Sequence, residues 1–456
     1  MILTSLNVKD YIGKNVEIDC KKIKLTFENS IVDDLPLFEG PGTIKLEKTG
    51  KIKYKLFNKI PVDQKIFSYL KSKDDPNTDI KAIACRVEAE SYSGIKWTGS
   101  FNIPEVKTYS GSSNILITGL FDQLSTFTTH KGKREKPSSE VFFFDCADLP
   151  YEGNLKITAS RGDDIVFIKH RYDHQIINLD GEEISFTKDT DELYLQITAT
   201  HTSEYSSYME NWLVEALSVS IGKTMYPRIV IRHNEDRDII FIRYIPDNSP
   251  TMMMAAFPTY SVKEKEFWKF FCAYLKKVKE IHKWENLNLT TGFYETCLAG
   301  RGTLQNFLTS LSVYIENCIS FVFDGEEDEI NKESIQLLVD AVKKCEIPSE
   351  DNEIKQRALG LLSMLNSPAT AKRMKKLKDD GVITEEQVRA WQKVRPKLAH
   401  GNILTPGQGE EFFKYKNHLI CMMYRLIFKI VNYSGFALEY IEKNKSFKYV
   451  EFKKNR

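Results

Sequence analysis

Long apolar runs are absent from this chain of 456 residues. No window reaches the roughly 18 uninterrupted apolar residues that a membrane-spanning helix needs. The most apolar stretch, 419–431, is interrupted by Arg425 and Lys429. The first twenty residues alternate polar and apolar side chains and lack the solid apolar core of a secretory signal. Cysteine is scarce and scattered: Cys20, Cys85, Cys146, Cys272, Cys297, Cys318, Cys345 and Cys421 include no CxxC pair. That spacing argues against a disulfide framework or a zinc site and fits buried free thiols in a reducing compartment. The expectation is a cytoplasmic protein with no membrane partner, no metal and no cofactor.

An excess of charge of one sign is missing as well. The 64 Lys+Arg nearly cancel the 63 Asp+Glu, leaving +1, which excludes a uniformly basic nucleic-acid coat protein. The average conceals a local imbalance. Residues 324–353 hold 11 acids and 3 bases, a net of −8, whereas residues 371–400 hold 9 bases and 4 acids, a net of +5. Familiar catalytic signatures are absent too: there is no G-x-S-x-G and no H-E-x-x-H. Gly300-Arg301-Gly302-Thr303 is followed by no Walker lysine and reads as a helix start. His170 and His174 have ligand-like spacing only on a helix, and DDIVFIKHRY around them is a strand pattern.

What is present is a folded composition, 42% hydrophobic and 12% aromatic, long enough for two or three domains. The first half reads as β-structure. Ile44 and Leu46, then Ile52, Tyr54 and Leu56, alternate on either side of Thr49-Gly50, the pattern of a hairpin. Similar runs at 80–90, 94–103, 114–121, 140–147, 163–172, 192–201, 228–233 and 238–245 suggest antiparallel sandwich or barrel modules. The basic segment 130–140 is expected to be an exposed loop. A helix is expected around Tyr208, Trp212, Leu213, Ala216 and Leu217, stopped by Gly222.

The period changes after residue 260. Phe267, Phe270, Phe271, Tyr274, Leu275, Val278 and Ile281 recur at helical spacing, marking a connector helix. Beyond it the chain reads as all-α. One helix starts at Thr303 as N-cap, a second covers 332–344, and a third covers 354–365. A fourth opens with a Thr384–Gln387 capping box, and the last is expected to run 410–441. The fold class is therefore α+β. A β-rich region, 1–255, divides at about residue 155 into two lobes; a connector follows at 256–296, and a helical bundle at 297–456.

The chemistry-bearing stretch is TEEQVRAWQKVRPKLAHGNIL, residues 384–404. It carries Arg395 and His400. On an unbroken helix five steps of 100° set these side chains roughly 140° apart. Pro396 and Gly401 are expected to interrupt the helix and turn both toward one cleft. Such a pair suits metal-free RNA cleavage. Histidine moves a proton near neutral pH, and an arginine fork holds the scissile phosphate. A second match to the spacing, Arg228 to His233, lies in a strand and is set aside.

VRPKLAHG within an all-α region of this length resembles the HEPN domain, whose Arg-x4–6-His motif Arg395 and His400 match position by position. The family typically places Asn, Asp or His after the arginine; here Pro396 stands in that place. The resemblance implies a metal-independent endoribonuclease with its site assembled at a homodimer, or higher even oligomer, interface. A β-rich region preceding such a domain is similar to the ApeA-type anti-phage proteins. That similarity implies an abortive-infection effector triggered by a phage component, with tRNA the leading RNA substrate. Lys393 and Lys397 flank the motif, and Lys372, Arg373, Lys375 and Lys376 precede it as candidate RNA contacts. Glu316 and Asn317 are polar residues on an otherwise apolar helix; they are candidates to reach the same cleft, although such residues more often simply face solvent. The competing reading is a non-catalytic dimerisation or RNA-binding bundle serving a ligand-binding β-region, for which Trp97 and Tyr92 are the candidate aromatic contacts.

Overall fold

The computed structural model describes residues 14–28, 36–61, 64–75, 77–108, 115–130, 132, 136–144, 149–151, 153–161, 164–189, 194–201, 208–246, 253–257, 264–281, 287–324, 332–345, 352–364, 370–399 and 406–453. They form two compact units. The first comprises residues 1–218 and 224–250, and the second residues 219–223 and 251–456.

In the first unit, alternating side chains give fifteen strands that join one antiparallel sheet. They are β1 (Val16–Phe27), β2 (Phe38–Leu46), β3 (Ile52–Asn58), β4 (Cys85–Ser91), β5 (Lys96–Asn102), β6 (Glu105–Thr108), β7 (Ile115–Leu120) and β8 (Gln123–Thr129). The series continues with β9 (Ser138–Phe143), β10 (Gly153–Arg161), β11 (Asp164–Leu179), β12 (Glu182–Asp189), β13 (Tyr194–Thr200), β14 (Ile229–His233) and β15 (Arg237–Arg243). The order is 10-11-12-13-9-14-15-8-5-4-1-2-3-7-6. The expected Thr49-Gly50 hairpin joins β2 to β3, with Gly50 at φ +99 where other residues are strained. The expected loop at 130–140 is shorter than its composition suggested, because Ser138–Glu140 already pair in β9.

A flat sheet of this size would leave its faces uncovered, and this one curls. Tyr54 on β3 donates its hydroxyl to Asn102 Oδ1 on β5 at 2.7 Å. Those strands are four steps apart in the order, roughly 19 Å in a flat sheet at about 4.8 Å per step. Register shifts in β1 at Cys20 and between Cys85 and Val87 supply the bends. The curl encloses one apolar core from β1–β5, β7, β8 and β15, with Ile66 and Tyr69 of helix α1 (Gln64–Asp74) packed in it. Trp97 belongs to this core at 2% exposure, so it offers no surface platform, whereas Tyr92 is exposed. A single turn, α2 (Ile80–Ile83), replaces the start of the strand expected at 80–90. Helix α3 (Met209–Ile221) stops at Gly222, φ +70, as its sequence implied.

The second unit is helical. The period-3.6 segment after residue 260 forms α4 (Glu264–Ile281), followed by α5 (Asn288–Ala299) and α6 (Leu304–Val322). Next come α7 (Lys332–Lys344), α8 (Asn352–Met364), α9 (Thr370–Asp379), α10 (Glu385–Ala399) and α11 (Gly409–Ile430). Both expected caps form. Thr303 Oγ1 accepts from the Asn306 amide, and Thr384 and Gln387 bond reciprocally at 3.0 and 3.4 Å.

Two expectations fail in this unit. The last helix ends at Ile430 rather than 441, because Asn432 enters the left-handed region at φ +57. Gly435–Ile441 then pairs with Ser446–Phe452 as a hairpin, β16 and β17, whose Leu438 and Tyr440 alternate with period two. Second, α10 is not interrupted at Pro396; it continues through that residue to Ala399. The proline stands in the last turn, where the hydrogen bond to the Gln392 carbonyl is the one its missing N–H removes. Replacing Thr303 with Ala should destabilise the chain by about 1 kcal/mol in urea denaturation followed by circular dichroism. A stability equal to wild type would show that this cap contributes nothing.

Candidate active site around Arg395

The site is built from α10 and α6, and both helices are fixed by what they bury. Gln387, Val388, Ala390, Val394 and Leu398 form the inward face of α10. Leu308, Leu311, Tyr314, Ile315, Cys318 and Ile319 do the same for α6. Arg395 and Glu316 each stand one residue past a fully buried neighbour, Val394 and Ile315. Each is therefore rotated about 100° from the core onto the flank where the helices meet.

There the two side chains pair. Arg395 Nε donates to Glu316 Oε1 at 2.6 Å, and Nη2 lies 3.4 Å from Oε2. The side chains are 30% and 27% exposed, so the pair sits at a rim within reach of solvent. The Glu316 hydrogen bond raises the guanidinium pKa above its usual value, against the opposing effect of burial. Of the two outcomes its sequence allowed, solvent or the motif's cleft, Glu316 takes the second: it bonds the arginine that the motif singles out, and its position as an acid on an otherwise apolar helix was the signal.

The basic residues near the motif differ in what they touch. Lys393 on α10 and Lys372, Lys375 and Lys376 on α9 are exposed. Arg373 and Lys376 lie over the Phe323 ring at 5.2 and 5.1 Å, at the end of α6. Lys397 lies 5.0 Å over Phe412, a buried ring of α11. Stacked cations retain their charge while their stems cover aromatic surface. Asn317, beside Glu316, lines a separate cavity of about 470 Å³ with Asn288, Thr291, Glu295, Ser320 and Asp324. His400 lies outside the described residues, whose helix ends one position earlier at Ala399.

The second Arg–His spacing has a structural explanation. Arg228 is buried and donates to the carbonyls of Gly50 and Arg243, both at 2.5 Å. His233 is held between two carboxylates, Nδ1 to Asp238 at 2.7 Å and Nε2 to Glu140 at 2.9 Å. Asp238 also meets His130 at 2.8 Å. No helix among the described residues is long and apolar enough to cross a membrane. Comparison with known proteins gave no match, neither a family model nor a curated protein nor a solved structure.

Burial disfavours the charged His233 ring, but the bonds to Glu140 and Asp238 outweigh it and raise the pKa above 6.5. Its stabilising effect is therefore complete below about pH 6.5 and lost as pH rises through the higher folded value. His233→Gln should lower the melting temperature more at pH 6 than at pH 9. An equal loss at both values would refute the imidazolium assignment.

Proposed function

We propose that this chain is a metal-independent endoribonuclease of the HEPN type, with Arg395 and His400 as its catalytic pair. One observation carries the reading: Arg395 projects from the end of α10 onto a solvent-accessible rim, its guanidinium oriented by Glu316. The motif lies within the +5 segment, where Lys393 and the exposed lysines of α9 attract a phosphate backbone.

In this reading His400 removes the proton of a ribose 2′-hydroxyl as that oxygen attacks the adjacent phosphorus. Arg395 stabilises the charge that accumulates on the phosphorane oxygens. The bond from phosphorus to the 5′-oxygen breaks, leaving a 2′,3′-cyclic phosphate and a 5′-hydroxyl. One imidazole does not serve as base and acid in the same step. The proton for the leaving oxygen comes from His400 of a second copy, so the working species is a homodimer. The β-rich unit then acts as the sensing part of a bacterial anti-phage effector, and tRNA is the leading substrate.

Incubation of the purified chain with total RNA in EDTA should yield fragments ending in cyclic phosphate. Arg395→Ala and His400→Ala should each slow cleavage on the order of 10²- to 10⁴-fold, while His233→Ala retains it. RNA bound but uncut by every form, with phage lysate present as well, would leave the bundle a binding or dimerisation module.

A further inference from the structure

An arginine that binds a phosphate in a reacting geometry must have its planar fork fixed, since the free side chain samples many rotamers. The residue after Arg395 cannot fix it: Pro396 has no polar side-chain atom and no amide N–H. The fixing group comes from another helix, 79 residues away in sequence.

A guanidinium has five N–H donors arranged as two usable edges. The side-on edge presents Nε and one Nη2 hydrogen, and the end-on edge presents Nη1 and the other Nη2 hydrogen. Glu316 occupies the side-on edge, through Nε at 2.6 Å and Nη2 at 3.4 Å. Among the described residues no acceptor engages the end-on edge, whose two hydrogens, one on Nη1 and one on Nη2, stay available.

The backbone that carries this carboxylate is fixed by its helix. Glu316 lies between Ile315 and Asn317 on α6, and its backbone carbonyl accepts from Ser320 Oγ at 3.1 Å. The helix carrying it is anchored by the buried face of Tyr314, Ile315, Cys318 and Ile319. A carboxylate on so rigid a support is suited to aiming a partner rather than leaving it.

We propose that Glu316 is the positioning residue of the Arg395 site, gripping the side-on edge of the guanidinium so that the end-on edge is presented to a phosphate. This inference rests on the reading of Arg395 as the phosphate contact, and it makes a distinct claim: substrate phosphate binds beside Glu316 and does not displace it. The opposite arrangement would be a latch, in which the carboxylate blocks Arg395 and must leave before an anion can bind. The two predict opposite effects. Removing a positioning group slows the chemical step and leaves substrate binding equal or tighter, because a nearby negative charge has gone. Removing a latch speeds the reaction.

Two measurements on the full chain test this. In cleavage assays Glu316→Ala should lower kcat by roughly 10- to 100-fold with KM unchanged or reduced. Glu316→Gln, which keeps the shape and one acceptor oxygen, should recover part of the loss. A kcat equal to or above wild type in both variants would overturn the proposal. The second measurement needs no activity. With ¹⁵N-labelled arginine, the Arg395 Nε–H resonance, assigned through Arg395→Lys, should exchange slowly with solvent in wild type. That protection should persist on titration with inorganic phosphate and be lost in Glu316→Ala. Collapse of the protected signal on phosphate addition would show displacement and refute the proposal. If wild type cleaves no RNA, the ribonuclease reading fails and the phosphate titration alone decides the role of Glu316.

Discussion

The helical unit depends on the burial of α11. From Asn417 to Phe428 every residue of this helix is buried, so it presents no polar face to water and must be covered on all sides. Helices α6 and α10 and strand β16 provide that cover. Phe428 sits in a cluster with Phe257, Phe270 and Tyr433, with centroids 4.5–5.8 Å away, joining α4 and the chain after α11 to the same core. Even the polar residues of α11 are accommodated: Arg425 reaches the Val382 carbonyl at 3.4 Å, and His418 reaches Glu442 at 3.0 Å. Because α6 and α10 both pack on this one helix, their spacing is set by the core. Arg395 and Glu316 are thereby brought together by packing, not by their own attraction alone. A rim ion pair by itself contributes little to stability; its significance is the orientation it imposes.

Local signals in the sequence were faithful where the physics is local. The Thr303 cap, the Thr384–Gln387 box, the Gly222 stop and the boundaries of α7 follow from side chains within a few residues of one another, and the structure has them all. Gly50 at its turn is the same kind of statement. The misses are tertiary. Nothing in β3 or β5 alone reveals that Tyr54 meets Asn102, since the curl of the sheet emerges from bulges and a shared core. The apolar run of α11 was extended into Phe436, Leu438 and Tyr440, whose period is two rather than 3.6. Asn432 was the available stop signal, weaker than a glycine but able to adopt the same left-handed conformation. At the site, Arg395 was legible because its neighbours in sequence carry the pattern. Glu316 was legible only as one of two outcomes, because its relation to Arg395 exists only once α6 and α10 have docked.

The same distinction applies to charge. The +5 of residues 371–400 is a sum along the chain, while a phosphate senses charges in space. The fold divides that sum. Lys378 is engaged by Glu385 at 3.1 Å, Arg389 by the same carboxylate at 3.2 Å, and Arg395 by Glu316. Arg373, Lys376 and Lys397 lie over aromatic rings, and Lys372, Lys375, Lys376 and Lys393 are exposed. The cations available for long-range attraction thus differ from the one committed to geometry. On the proposed reading this divides residues that would raise the local concentration of an anion from a residue that would decide where the anion sits.

That division explains why the committed cation is an arginine. A lysine at position 395 facing Glu316 would offer a compact ammonium whose charge the carboxylate largely consumes, with no second face of defined direction. The planar fork behaves differently. One edge satisfies Glu316 and the other remains a directed pair of donors, matched in spacing to the oxygens of a phosphate. The net charge of the pair is zero, so attraction at a distance must come from the exposed lysines. Contact recognition, which depends on donor geometry at hydrogen-bond range, survives the neutralisation. A carboxylate beside an arginine proposed to bind an anion, which looks unfavourable as electrostatics alone, is coherent once the guanidinium is treated as a shape with two edges.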